Sequence, residues 1–231
     1  MRVYLLAHTP DPEKTIAMAA KLCYSPSNIG DLKGLVEEAD QTSFLKKIIG
    51  MGHSSVLEHA NFNFGVEGIS RATSHQLVRH RLASYSQLSQ RYVKVGDEFE
   101  YVTPHTISDD DEKKIKFDNA VKEIHNIYAD LVDSGIPAED ARYLLPNAAA
   151  TKIIITMNAR ELTHFFTLRC CERAQWEIRE MACEMLKIAR DIVPALFENS
   201  GPGCVRGKCT EGPMTCGRTE EIREKFKNLA S

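Results

Sequence analysis

No stretch of this 231-residue chain approaches the roughly 18–20 consecutive apolar residues that span a bilayer. The N-terminal run Val3-Tyr4-Leu5-Leu6-Ala7 is too short for a signal-peptide core before Pro10 and Asp11. A cytoplasmic protein that does not engage a membrane is expected. An excess of positive charge is missing too. The 29 Lys and Arg residues face 32 Asp and Glu, a formal net charge of −3, so no global field recruits nucleic acid. Paired Cys-x-x-Cys units are absent, and the seven cysteines are odd in number and unevenly placed, which argues against a secreted disulfide framework. Cys204, Cys209 and Cys216, separated by four and six residues, do not supply the four paired ligands of a structural zinc site. No metal is expected. Gly50-x-Gly52-x-x-Ser55 follows a helical pattern rather than a strand, so it is not a dinucleotide loop. There is no P-loop, internal repeat or low-complexity tract.

What is present suits one core-forming domain. Apolar residues make up 43% and charged residues 26%, ordinary for a globular protein able to bury a core. Residues 2–7 predict a strand, and 11–24 a helix opened by Asp11-Pro12. A second amphipathic helix is expected over 31–49, stopping at Gly50-Met51-Gly52. Asn61–Val66 alternates polar and apolar residues, as a half-buried strand does. Ser70 can cap a helix running to about Ala83, followed by a loop over 84–90 and strand over 91–95 and 99–102. Acidic residues after Ser108 open a long helix closed by Gly135, and 137–145 predicts a short helix. Thr151–Met157 is a strand rich in β-branched residues. Asn158 caps a helix to about Cys171, and 174–197 supplies another. The sum is α+β, an antiparallel or mixed sheet flanked by helices. Residues 1–198 form the domain, and 199–231 a Cys/Gly/Pro-rich, loosely held tail. Cys23, Cys170, Cys171 and Cys183, in patterned segments, are expected as core or near-core thiols.

The chemistry concentrates in residues 79–92, Arg-His-Arg-Leu-Ala-Ser-Tyr-Ser-Gln-Leu-Ser-Gln-Arg-Tyr. Arginine grips phosphate in a planar, bidentate way, while Ser and Gln add neutral hydrogen bonds that can read a ring edge. By composition alone the run reads equally as a solvated helix face. On a helix, His75, Gln76, Arg79 and His80 share one side, and Arg81 lies about 200° around from Arg79. Two further segments carry polar groups. His53-Ser-Ser-Val-Leu-Glu58-His59 lacks metalloprotease spacing and reads as loop histidines paired to nearby groups. Asn158-Ala-Arg-Glu-Leu-Thr-His-Phe-Phe-Thr-Leu-Arg169 interleaves Arg160, His164 and Arg169 with Leu162, Phe165, Phe166 and Leu168, too apolar for a solvated face. Its polar groups should be partly buried and bound to something.

Arg79-His80-Arg81, seven residues, then Ser89-Gln90-Arg91 resembles the signature of flavin-dependent thymidylate synthases, and the likeness extends over about residues 50–195. The resemblance implies a thymidylate synthase-complementing-type fold and reductive methylation of dUMP to dTMP, with FAD as cofactor and methylenetetrahydrofolate and NADPH as cosubstrates. It implies a homotetramer with shared active sites and no enzyme thiol as nucleophile. For the flavin it implicates Ser55, Arg79, His80, Arg81, Gln87, Asn158, Arg160 and His164, with His53 lining the folate and flavin cavity. For the nucleotide it implicates Gln76, Arg79, Gln87, Leu88, Ser89, Gln90, Arg91, Arg142 and Arg169, the last as the catalytic side chain at the pyrimidine. Gln87 stands where the family often has Glu, so a charge-based role there is in doubt while a hydrogen-bonding one survives. Three other readings remain open: a plain flavoprotein oxidoreductase, an RNA-binding module for which Tyr85 and Tyr92 are the stacking candidates, and a metal-bound regulatory protein resting on the cysteine tail.

Overall fold

The structure, a computed structural model, describes residues 1–37, 39–96 and 99–229. In chain order, strand β1 (Arg2–His8) precedes helices α1 (Pro12–Leu22), α2 (Ile29–Glu37) and α3 (Thr42–Gly50) and a 3-10 turn, Ser54–His59. Strand β2 (Asn61–Ser70), helix α4 (Arg71–Leu77) and strand β3 (Ala83–Gln87) follow. Next come α5 (His105–Ser108), the long α6 (Asp111–Asp133), α7 (Ala138–Ala141) and a 3-10 turn, Arg142–Leu144. Strand β4 (Ala150–Asn158) leads into α8 (Ala159–Arg169), α9 (Trp176–Ile192), α10 (Pro194–Phe197), α11 (Gly203–Arg206) and α12 (Thr219–Lys227). The strands form one sheet in the order β1-β2-β4-β3. It is antiparallel: the chain before β2 bonds the chain after β4 (Ala159 N–H to Ala60 O, 2.8 Å), and the chain after β2 bonds the chain before β4 (Arg71 N–H to Ala149 O, 3.0 Å). The fold is α+β, as the pattern predicts.

Strand periodicity explains the sheet. Phe62, Phe64 and Val66 of β2 and Thr151, Ile153, Ile155 and Met157 of β4 are buried, while Lys152 and Ile154 between them are exposed. That is the period of two expected of strands with one covered face. By contrast β3 is an edge strand that the sequence hides. Ser84 and Ser86 alternate with Ala83, Tyr85 and Gln87, so no apolar face betrays it, and residues 83–87 pair as strand where a loop was expected. The expected strand at 91–95 and 99–102 is instead a turn followed by one bridge, Tyr101 to Ala149.

The described residues fall into two compact units. One comprises 1–2, 66–79 and 85–154. Here Ser70 caps α4, its hydroxyl accepting the Thr73 N–H. The helix stops at Leu77, not at Ala83. The Tyr85 hydroxyl donates to the Leu77 carbonyl at 3.0 Å, satisfying one of the acceptors that a helix C-terminus leaves open. Asp110 caps α6 by accepting the Lys113 N–H. Val121 and Tyr128 are its buried side chains, and Gly135 at φ 94° ends the connection as expected.

The other unit comprises the described residues of 3–65, 80–84 and 155–231. Asp11 takes φ 43° to turn the chain into α1, a conformation Asp tolerates better than most residues. The single helix expected over 31–49 is two helices, with Glu38 outside the described residues. Asp40 Oδ1 accepts both the N–H and the hydroxyl of Thr42 (3.0 and 2.7 Å), starting α3. Gln41 donates its amide to the Val36 and Ala39 carbonyls (3.1 and 2.8 Å), ending α2. These short-range side-chain bonds outcompete helix continuation, and the two Thr42 bonds hold the Asp40 carboxyl below its usual range. Phe62, Phe166 and Phe197 meet edge to face with centroids 5.8 Å apart, at the heart of a core completed by Leu162, Phe165, Met181 and Met185.

The C-terminal segment is packed rather than loose. Ile222 and Phe226 of α12 are buried. Arg190 of α9 donates to four carbonyls: Phe197, Ser200, Phe226 and Leu229. Cys170 is buried as expected, whereas Cys23 is exposed. Burial raises the Cys171 and Cys204 thiols above their usual range, and the nearby Cys209 and Cys216 push the same way. Among the described residues no three His, Cys, Asp or Glu side chains are grouped to hold a metal ion. Nor is any helix long and apolar enough to cross a membrane.

Candidate active site

Within the first unit, the loop after β3 is pinned from both sides. The Leu88 N–H donates to the Lys152 carbonyl at 2.9 Å, and the Leu88 carbonyl accepts from Arg71 Nη1 at 3.3 Å. Gln87 Nε2 donates to Thr151 Oγ1 at 3.2 Å. Ser89 turns the chain by accepting the Arg91 N–H at 3.2 Å. Leu88, Ser89 and Gln90 line a cavity of about 190 Å³ with Val93, Phe99 and Ala149.

Arginines gather beside this loop. Arg91 Nε donates to Glu139 Oε2 at 2.6 Å, and Arg142 Nε donates to the Glu139 carbonyl at 3.0 Å. Burial, and then the like charge of Arg142, hold the Arg71 guanidinium below its usual range. Arg91 thus bonds the Glu139 carboxylate, whereas Arg142 and Arg71 donate to the backbone carbonyls of Glu139 and Leu88. The like charges of Arg71 and Arg142, brought together, favour an anion such as a phosphate beside them. Gln76 sits on the last turn of α4, partly buried, while Arg79 lies beyond the helix and is exposed. His75, Gln76, Arg79 and His80 therefore do not share a helix face, and Arg81 is not on a helix either. The helix end at Leu77 is the reason.

In the second unit, α8 organises the remaining candidates. Asn158 caps it, accepting the Glu161 N–H at 2.9 Å. Arg160 and His164, one turn apart, are both exposed. Arg160 pairs with Glu58 of the 3-10 turn, which also carries the exposed Ser55. His53, just before that turn, meets Tyr24, whose Oη lies 3.2 Å from Nε2. Ser55, Asn158, Arg160 and His164 offer hydroxyl, amide, guanidinium and imidazole groups, a donor set suited to an anionic, heteroaromatic cofactor.

His80 behaves differently from the arginines beside it. Its side chain is 4% exposed, Nδ1 lies 3.2 Å from Glu161 Oε1, whose side chain is 6% exposed, and Nε2 accepts from Arg169 Nε at 3.0 Å. Its ring packs edge-on against Phe165, centroids 5.0 Å apart, with His164 6.0 Å away. An arginine Nε can only donate, so Nε2 carries the lone pair and the proton sits on Nδ1. Burial, reinforced by the Arg169 and His164 charges, lowers the His80 pKa to about 4. At neutral pH the Glu161 contact is therefore a hydrogen bond from a neutral ring. Burial correspondingly raises the Glu161 carboxyl.

A family model described as "Thymidylate synthase complementing protein" matches residues 4–195. The chain belongs to that family. It is 55% identical over its full length to a protein of Geobacter sulfurreducens named flavin-dependent thymidylate synthase, covering all of that protein. Relatives of the same name in Clostridium tetani (45% identity, 98% of this chain and 97% of the relative) and Pyrococcus furiosus (43% identity, 100% and 98%) match comparably. The family match begins at β1, well before the segments whose residues carry the resemblance.

Three residues bonded or close to the candidate groups escaped the sequence reading: Arg71, Glu139 and Glu161. Arg71 did leave a signal. A cation at the first position of a helix opposes the helix dipole, so its presence directly after the Ser70 cap points to a separate task. Glu139 and Glu161 left none, since each is an ordinary acidic residue in the first turn of its helix.

Proposed function

We propose that this enzyme methylates dUMP to dTMP, taking the carbon from methylenetetrahydrofolate and electrons from NADPH through FAD. The observation that carries the proposal is the His80–Arg169 bond. It ties the middle of the Arg-His-Arg motif to the last residue of α8, so that a buried neutral ring aims a cation. Held at the N3/O2 edge of the pyrimidine, the Arg169 guanidinium stabilises the negative charge that develops there, the preorganised electrostatic help that dominates many active sites. Arg71, Arg91 and Arg142 grip the phosphate, with Gln76, Arg79, Gln87, Leu88, Ser89 and Gln90 completing the nucleotide site. Positioning of this kind can supply several kcal/mol.

Ser55, Arg79, Arg81, Asn158, Arg160 and His164 hold the flavin, Gln87 contributes hydrogen bonds without charge, and His53 borders the cavity. FAD, when bound, carries the reducing electrons. His80 acts from behind Arg169, because a polar contact of its own with a ligand would require giving up one of its two ring bonds. The homotetramer implied by the family is supported by Tyr4 and Leu6, which stay 43% and 53% exposed on the edge strand and leave apolar surface for another copy to cover.

Purified protein should show a flavin spectrum that changes on adding dUMP, and should release tritium from 5-labelled dUMP. Arg169→Ala should keep the flavin and lose the release. Protein that stays colourless with FAD supplied, or whose flavin spectrum ignores dUMP, refutes the proposal.

A further inference from the structure

Glu161 is a buried carboxylate to which the chemistry above gives no task. It lies on α8 one turn before Phe165 and two turns before Arg169, so 161, 165 and 169 form a single stripe along the helix. The His80 ring lies along that stripe and meets all three residues.

We infer that Glu161 is a positioning residue: by accepting the His80 Nδ1–H it fixes the tautomer whose Nε2 lone pair holds the Arg169 guanidinium. The inference rests on the reading of Arg169 as the residue at the pyrimidine edge. A carboxylate only accepts and an arginine Nε only donates, so a neutral imidazole between them satisfies both in one tautomer alone. Without Glu161 the Nδ1–H loses this buried acceptor. The other tautomer then competes, and it sets an Nε2–H against the Arg169 Nε–H, donor against donor. Phe165, edge-on at 5.0 Å, restricts the ring's escape, so the guanidinium is the group that moves. The Asn158 cap, bonded to the Glu161 N–H at 2.9 Å, fixes the carboxylate's own backbone. The chain from cap to carboxylate to ring to guanidinium is therefore continuous.

The test uses the full-length, FAD-loaded enzyme. Glu161→Ala should lower kcat by between about tenfold and a hundredfold, the penalty for a displaced catalytic group, with flavin content unchanged. Glu161→Gln, whose amide oxygen can still accept from Nδ1–H while its NH₂ can support the other tautomer, should recover part of that loss. Nitrogen-15 spectra of ring-labelled histidine, with His80 assigned by its disappearance in His80→Gln, should show Nδ1 protonated in the wild type and mixed tautomers in Glu161→Ala. Should the alanine variant fail to fold, the near-isosteric Glu161→Gln and its spectrum decide. Glu161 variants with kcat within about twofold of wild type, or with the His80 tautomer unchanged, overturn the inference. Arg169→Ala, run in parallel, separates the two ideas. If it retains turnover, the reading of Arg169 fails. If it is inactive while the Glu161 variants are normal, only the positioning role fails.

Discussion

The neutral, buried state of His80 has a measurable consequence for stability. Its pKa falls from 6.5 to about 4 on folding, driven first by burial and then by the Arg169 and His164 charges. Between those values the unfolded chain holds a proton that the folded chain refuses, so stability rises with pH across the window and is lost as pH drops through it. The full difference is worth roughly 3 kcal/mol, and the step from neutral pH to pH 5 about 2 kcal/mol. Glu161 works in the opposite sense. Its carboxyl is raised by burial, so the folded state takes up a proton there at a higher pH than the unfolded chain does and recovers some stability in acid. The His80 figure is therefore a ceiling for the pair. Urea unfolding followed by circular dichroism at pH 7.5 and pH 5, at one fixed protein concentration, should show wild type losing more stability than His80→Gln, by about 1–2 kcal/mol. Equal losses in the two proteins would mean that the ring is not held neutral, and the tautomer assignment would fall with it.

Two further outcomes follow from the C-terminal half. Arg190→Met removes the donors to four carbonyls of the packed C-terminal segment and should destabilise by about 3 kcal/mol, read as a lower urea midpoint with earlier proteolysis after residue 198. An unchanged midpoint would show that the segment is held by Ile222 and Phe226 alone. Cys170→Ala and Cys171→Ala should each retain turnover, because burial raises both thiols and so disfavours the thiolate that a nucleophile requires. An inactive single variant that still binds flavin contradicts this.

The parts of the fold legible in the sequence are those where a period or a cap is decided locally. Strands β2 and β4 alternate over enough residues to declare a covered face, and Ser70 and Asn158 cap the helices they precede. The illegible parts were decided by partners distant in sequence or by side chains turned back on the backbone. Helix α4 could have run on through Arg79 and His80 by propensity. It stops with Tyr85 bonded to its last carbonyl, while His80 turns inward to α8. The split between α2 and α3 depends on where Asp40 and Gln41 direct two short side chains. The C-terminal segment looked loose because its Gly, Pro and Cys content says nothing of Arg190, whose bonds reach 36 and 39 residues along the chain.

The same division runs through the candidate site. Arg79, His80 and Arg81 stand side by side in a polar run, and the resemblance implicates all three for the flavin and Arg79 for the nucleotide as well. Folding separates them by exposure: the two arginines stay on the surface, while the histidine between them is buried with both nitrogens engaged. On the role proposed above, a residue in that position acts through its neighbour Arg169. The geometry suits an imidazole between the two guanidinium groups. A third arginine could not accept from Arg169, and an apolar residue would leave both Glu161 and Arg169 without their bonds to this side chain. Only a side chain that donates at one end and accepts at the other joins a buried carboxylate to a guanidinium, and neutral histidine does so while also packing against Phe165.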